Sequence, residues 1–431
     1  MKIELSCKSE KLFKLGQFCF YAGLFLLPSA FFISAILFLI ALSIGFIISK
    51  EGFFEDSLNK YFFLGATLII ISSFFNSIFP LLINGADITS IFYENVSLLN
   101  WIPIILGFHG FKPYLSSRSF RKNCGILFLI GTFPVIFSVI GQAFLDWHGP
   151  IQTLGGLIVW YQRPIEGITS VTGLFNNQNY LGSWLCLVWP FCLALFLQNE
   201  KSNSKSLIAF LFLIAIAVTI VLTASRAAWL GLLLSVPIFF GRRGTKLFIA
   251  VISAIFLILL LIFVPIFGEG VQNLIMDLLP QGIWSNFLPS TYEMNISRIE
   301  IWKIALDTIF KNPIFGSGSS FPEILEAKTG FWRGHAHNLP LEIMVSYGIP
   351  TALSILTPII VLITKSYEFI FVNKNLFFRE NLFDRAWITS LILLAFSHLV
   401  DIQYFDGRVS ISGWILLAGT SQIIKNPELI E

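Results

Sequence analysis

Charge is what this sequence has least of. Asp, Glu, Lys and Arg make up 12% of its residues, against about 25% in an ordinary soluble domain, and that excludes a globule surrounded by water. The net charge is only +3, and the basic residues sit in short clusters between apolar runs. This excludes a nucleic-acid surface and reads as a topology signal. Cysteine is scarce too. Cys7, Cys19, Cys124, Cys186 and Cys192 fall in the N-terminal tail or inside apolar runs, so neither a disulfide framework nor a thiolate metal site is expected. There is no internal repeat and no low-complexity tract. Few ionisable residues lie deep inside any apolar run, which disfavours an ion-coupled transporter, since ion paths need such groups near the midplane.

What the sequence has is apolar length, with 55% hydrophobic and 16% aromatic residues. A helix crosses a bilayer with roughly 20 apolar residues, in a range of about 17–25. That ruler predicts an all-α, polytopic membrane protein of about twelve spans, near 14–29, 30–48, 61–79, 95–111, 123–144, 179–198, 207–224, 227–241, 247–265, 339–363, 386–401 and 409–424. The first lacks a small-residue cleavage site and is expected to be a retained signal anchor. With both termini inside, 20 of the 28 Lys and Arg residues fall on inner segments, and the short outer loops hold only Arg163, Arg226 and Arg408. The other five lie in one long outer loop, 266–338. Basic residues favour the cytoplasmic side, so this bias orients the chain. Three segments follow: N-terminal spans in 1–206, a central region in 207–355 that includes the long loop, and C-terminal spans in 356–431.

Inside the long loop, "SRIEIWKIALDTIFKNP" has the marks of a helix. Ser297 with Glu300 forms a capping box, Ile299, Trp302, Leu306 and Ile309 recur at helical spacing, and Asn312-Pro313 stops it. It is expected to lie on the outer membrane surface or to pack on the rest of the loop. A second outer loop, 145–178, ends in "TGLFNNQNYLG" and carries Trp160 and Tyr161, residues suited to the interface belt.

The titratable groups close to spans gather at the outer ends. Arg226 lies in "TASRAAWLG", where it either snorkels to headgroups or holds an anionic headgroup or diphosphate. Arg298 occupies the first position of the capped helix, where free N–H groups, the helix dipole and a guanidinium fork together suit a phosphate. Glu342 is expected just inside the tenth span, and His398 and Asp401 end the eleventh. His335 and His337, with Arg333 beside them, invite a metal. Zinc wants three or four ligands, however, and the loop around the pair supplies no thiolate cluster, so no metal is expected. His337 begins an apolar helix and is placed to act as a base near neutral pH. The outer acids Asp277, Glu293, Glu300, Asp307, Glu323 and Glu326 are scattered, with no D-x-D spacing for a divalent cation.

"TASRAAWLG", "SRIEIWKIAL", "NPIFGSG" and "HAHNLPLEIMVSYGIPTAL" follow one another in the order seen in the O-antigen ligase and polymerase family, and the chain resembles that family from about 207 to 355. "TGLFNNQNYLG" is similar to its Gly/Asn-rich approach to a span. Ala227 stands where glycine is common, a minor departure. The resemblance implies a glycosyltransferase without nucleotide-sugar or other cofactor, in the bacterial inner membrane with its site facing the periplasm. Its donor would be a glycan linked to undecaprenyl diphosphate and its acceptor a hydroxyl of lipid A–core or another glycan. Position by position, His337 matches the family's base, Arg226 and Arg298 its diphosphate-binding arginines, and Asp401 an acid after a late span. Arg333 and His335 are further candidates without a counterpart. Direct displacement at C1 implies inversion. An O-antigen polymerase, a protein O-oligosaccharyltransferase and, outside enzymes, a transporter or flippase remain as alternatives. The orientation is tested by reporter fusions: those after Leu274 and Ser320 should score outside and those after Arg121 and Lys374 inside. An inside score at Ser320 would separate the candidate site from a donor presented outside.

Overall fold

The computed structural model describes residues 2–84, 96–165, 170–198, 203–263, 296–368 and 381–425, with a few positions between 263 and 296. The chain is nearly all helix. α1 (Lys2–Leu26), α2 (Phe31–Ile48) and α3 (Ser57–Asn84) are followed by α4 (Ile102–Gly110), α5 (Arg118–Phe144), α6 (Gln178–Gln198), α7 (Asn203–Leu222), α8 (Arg226–Phe240) and α9 (Arg242–Phe263). After the long loop begins come α10 (Arg298–Lys311), α11 (Phe321–Thr329), α12 (Leu339–Tyr347), α13 (Ile349–Tyr367), α14 (Leu382–Val400) and α15 (Gly407–Lys425). Part of the long loop, including Asp277 and Glu293, lies outside the described residues.

A helix stands at each expected span, but among the described residues seven are long and apolar enough to cross a membrane. The chain is a multi-pass membrane protein. α4 has 9 residues and α8 has 15, short of the roughly 20 that a full crossing takes. The small exception to helix is a hairpin in the 145–178 loop, where Ile151–Thr153 pairs antiparallel with Ile158–Trp160. Trp160 does more than sit at an interface: its Nε1–H donates to the Ser29 carbonyl at 2.8 Å, tying the hairpin to the α1–α2 turn.

The core is aromatic. Phe128 on α5 packs on Trp184 and Phe191 of α6, and Phe191 packs in turn on Trp387 of α14, with ring centroids 5.6–5.9 Å apart. Helices from the N- and C-terminal thirds are thereby locked together, and Ser390 Oγ donates to the Leu187 carbonyl at 2.6 Å. At one end of the bundle, basic residues assigned to the inside meet buried acids. Lys112 pairs with Asp56 at 2.7 Å, and Arg121 grips both oxygens of Asp384 at 2.8 and 3.0 Å.

The expected tenth span, 339–363, is broken. α12 stops at Tyr347 and α13 starts at Ile349, because Gly348 takes φ +86°, ψ 166°. The "NPIFGSG" turn fills the break. Ile349 N–H donates to the Pro313 carbonyl at 2.8 Å, and Ser317 N–H to the Val345 carbonyl at 2.7 Å. A Cβ on Gly348 would stand 2.0 Å from the Ile314 carbonyl oxygen, and one on Gly316 (φ +67°) 2.5 Å from the Ser346 carbonyl carbon. The two glycine motifs are therefore halves of one joint. Ser72 and Asn76 of α3 both donate to the Phe315 carbonyl and brace it.

The joint carries α10. Ser297 caps it as expected, accepting from Glu300 N–H at 3.2 Å, and of the expected stripe Ile309 is buried and Trp302 packs beside it, while the rest of the buried face is other residues. Ile301, Ile304, Ala305, Thr308 and Ile309 are buried against α11 and α12, through Phe321, Leu325 and Val345. Ile299 and Leu306 are exposed, at 63% and 43%. Spacing alone could not choose between two apolar stripes on one helix; α11 and α12 made the choice. Replacing Gly316 or Gly348 by alanine should lower the thermal unfolding midpoint in detergent clearly, since positive φ alone costs a non-glycine residue roughly 1–2 kcal/mol before the clash is counted. Gly334→Ala, where an added Cβ meets nothing within 4 Å, should be neutral; equal midpoints for all three would show that the joint is not closed as described.

Candidate functional site

The chemistry gathers where α14 ends. Asp401, the residue after α14, is buried, at 5% exposure. Its Oδ1 lies 2.7 Å from His337 Nδ1 and also accepts the Ile402 N–H at 2.9 Å. Its Oδ2 accepts from Asn179 Nδ2 at 2.7 Å and stands 3.8 Å from Arg298 Nη2. Burial opposes the carboxylate, but the hydrogen bond and charge of His337, the charge of Arg298 and the Ile402 N–H outweigh it and hold Asp401 below its ordinary range. An ionised carboxylate can only accept, so His337 Nδ1 must carry the proton. His337 Nε2 is then left with the basic lone pair.

His337 sits in the left-handed region at φ +51°, unusual for a residue with a side chain, though His is among those that tolerate it. Neighbouring bonds hold the turn. Ala336 N–H donates to Glu342 Oε2 at 2.8 Å, and the Ala336 carbonyl accepts from Trp302 Nε1 at 3.0 Å. Asn338 caps α12 through Leu341 N–H at 3.0 Å, and its amide donates to the Leu399 carbonyl at the end of α14 at 2.8 Å. The helix of Arg298 and Trp302, the turn 335–338 and the end of α14 are thus one hydrogen-bonded assembly. Strain of this kind persists only where the surroundings over-determine it.

The other expected residues divide. His335 packs its ring on that of His337, with centroids 4.3 Å apart, and its Nδ1 accepts the His337 N–H at 3.3 Å. Burial, then the charge of His337, pushes His335 down to about 4 against the pull of Asp401, so His335 stays neutral at physiological pH. Arg333 Nη1 donates to the Trp332 carbonyl at 3.3 Å. Arg226 is exposed at the start of α8 behind Ser225. It stands at the same end of the bundle as Asn179: a Cβ on Gly182, one turn beyond Asn179, would stand 3.4 Å from Ser225 Cβ.

Asn179 had no assigned role in the sequence, and polar residues at the mouth of a span were its only signal. Asp401 also alters the metal argument. The third ligand missing from the loop arrives from 64 residues away: His335, His337 and Asp401 each offer a donor atom within 4.8 Å of the others. Beside the site, a cavity of about 370 Å³ opens between α12, α13, α14 and α15, lined by Leu339, Ile343, Ile355, Leu391 and Leu399 with His398. It is almost wholly apolar. Leu339 and Leu399 are each two residues from the dyad, so cavity and dyad share a wall.

Glu342 is buried, and burial pushes it up to about 7 in spite of the Ala336 N–H and the Ser346 hydroxyl. From the ordinary carboxyl value, roughly 4.3, up to that raised one, the folded protein holds a proton that the unfolded chain releases. Stability therefore falls as pH rises through this window. Glu342→Gln keeps an acceptor for Ala336 N–H and removes the titration. Its unfolding midpoint should vary less than wild type's between pH 5 and pH 7, and equal slopes would refute this account.

Residues 182–356 match the family model described as O-antigen ligase. No curated protein matches the chain. The matched stretch begins at Gly182, ends inside α13, and contains Arg226, Arg298, Arg333, His335 and His337; Asn179 and Asp401 stand outside it and are joined to it by the contacts above. The region from Gly182 to Leu356, which carries the arginines and the histidine turn, is similar to the O-antigen ligase family.

Proposed function

We propose that the protein transfers a glycan from undecaprenyl diphosphate to an acceptor hydroxyl, foremost on lipid A–core, at the outer face of the bacterial inner membrane. The observation that carries this reading is the 2.7 Å contact of His337 Nδ1 with Asp401, with Arg298 on the other carboxylate oxygen. It supplies the two things such a transfer needs: a base for the incoming hydroxyl and a cation for the charge that leaves. Nε2 of His337 takes the hydroxyl proton as the oxygen bonds to C1. The bond from C1 to the diphosphate oxygen breaks with inversion. Asp401 stabilises the imidazolium formed, while Arg298, joined by Arg226 when the headgroup is seated, holds the departing diphosphate. The apolar cavity that shares a wall with the dyad suits a prenyl chain, which keeps the lipid in the bilayer while its sugar faces outward. Both termini would lie in the cytoplasm.

Transfer on this scheme draws its electrostatic help from guanidinium groups and should survive EDTA. His337→Asn keeps a residue at home in the left-handed region and removes the base. It should cut transfer by about 10²–10⁴-fold at normal membrane levels. Cells carrying only this variant should show lipid A–core without polymer and an accumulation of lipid-linked polymer on surface-polysaccharide gels. Loss of long chains with a single repeat retained would assign a polymerase, and unchanged glycans, with a protein acceptor affected, an O-oligosaccharyltransferase. Purified protein that stops in EDTA and recovers with Mg²⁺ would defeat the metal-free scheme.

A further inference from the structure

The cluster that serves as the base also has the donor set of a transition-metal site. His335, His337 and Asp401 come from two distant segments, and their donor atoms lie within 4.8 Å of one another. A tetrahedral zinc ion takes its nitrogen and oxygen ligands at about 2.0–2.2 Å, so small side-chain rotations would bring all three donors to bonding distance. Both histidines are partly exposed, which leaves the cluster open to ions in solution. Two imidazoles and a carboxylate suit Zn²⁺ and its neighbours in the transition series. Mg²⁺ and Ca²⁺ prefer sites built from oxygen.

We infer that this cluster is an inhibitory Zn²⁺ site, a brake on the enzyme rather than a resident cofactor; the inference rests on His337 being the base. A neutral imidazole has one basic lone pair. An ion bound through Nε2 occupies it directly. An ion bound through Nδ1 displaces the Nδ1 proton to Nε2, so the ring stays neutral but can no longer accept the proton of a hydroxyl. In either case the ion also claims an oxygen of Asp401, which is then lost as the partner of an imidazolium. Arg298, 3.8 Å from Asp401, keeps the site from becoming a permanent zinc centre, because its charge opposes the ion. Its side chain is 45% exposed and can swing into solvent as the ion enters. The result is a reversible brake that responds to free zinc outside the membrane.

The full-length protein in detergent should bind ZnCl₂ at one ion per chain in equilibrium dialysis, with MgCl₂ showing no such binding. Zinc should inhibit transfer from a lipid-linked donor over the same concentration range, and EDTA should restore the rate. His335→Ala and His335→Gln, the second keeping an acceptor for the His337 N–H, should raise both the binding and the inhibition constants by at least roughly 10–100-fold, because losing a ligand costs no less than losing the partners that orient one. The comparison is between constants, whatever the basal rate of each variant. Absence of saturable zinc binding, or equal constants in wild type and both variants, overturns the site while leaving His337 as the base. Stoichiometric binding that depends on His335 but leaves the rate unchanged overturns the inhibition and removes the base reading with it. Stimulation by zinc would do the same and make the ion part of the catalyst.

Discussion

A single carboxylate, Asp401, is what the site end of the bundle is arranged around. Its four neighbours come from four places in the chain: Asn179 at the start of α6, Arg298 on α10, His337 on the turn before α12, and its own successor Ile402. A buried anion is costly unless it is fully hydrogen-bonded, so the group imposes an order on these elements. Were any one of them displaced, the carboxylate would lose a partner in a place that water reaches poorly.

The demands of that anion explain why the neighbouring backbone is so elaborate. The turn that carries His337 is held by Glu342 from one side and by Trp302 from the other. Trp302 can reach it because α10 is fixed to the helix break at Gly348 through the Pro313–Ser317 turn. The motifs separated along the chain are therefore parts of one mechanical path, running from the glycine joint through α10 to the imidazole. A residue far from any reacting atom, such as Gly316, bears on the imidazole's position through this path alone.

Much of this was legible in the amino-acid order. Apolar runs located the helices, Ser297 and Glu300 marked the start of α10, and His337 and Arg298 stood out as titratable groups at the mouths of apolar segments. The failures have physical causes. A hydropathy ruler reads straight through Gly348, because one glycine hardly changes an apolar average, although its φ decides where α12 ends. Ile299 and Leu306 lie on a second apolar stripe of α10, and only the packing partners Phe321 and Val345 select the buried one. Asp401 was visible as a residue at a helix end, but not as a ligand to His337. Contacts between segments 64 residues apart leave no trace in spacing, which hid the three-donor cluster, and Asn179 lies 222 residues from the carboxylate it serves.

α14 has a carboxylate near each of its ends, Asp384 gripped by Arg121 and Asp401 held by His337 and Asn179. Seventeen residues of helix separate them, about 26 Å at 1.5 Å per residue. Such a helix is a strut anchored at both faces of the bundle. It cannot slide along its own axis without exposing one carboxylate or the other, and a turn about that axis would swing both away from their partners. Any movement beside the dyad must therefore leave α14 in place and be made by the elements packed around it.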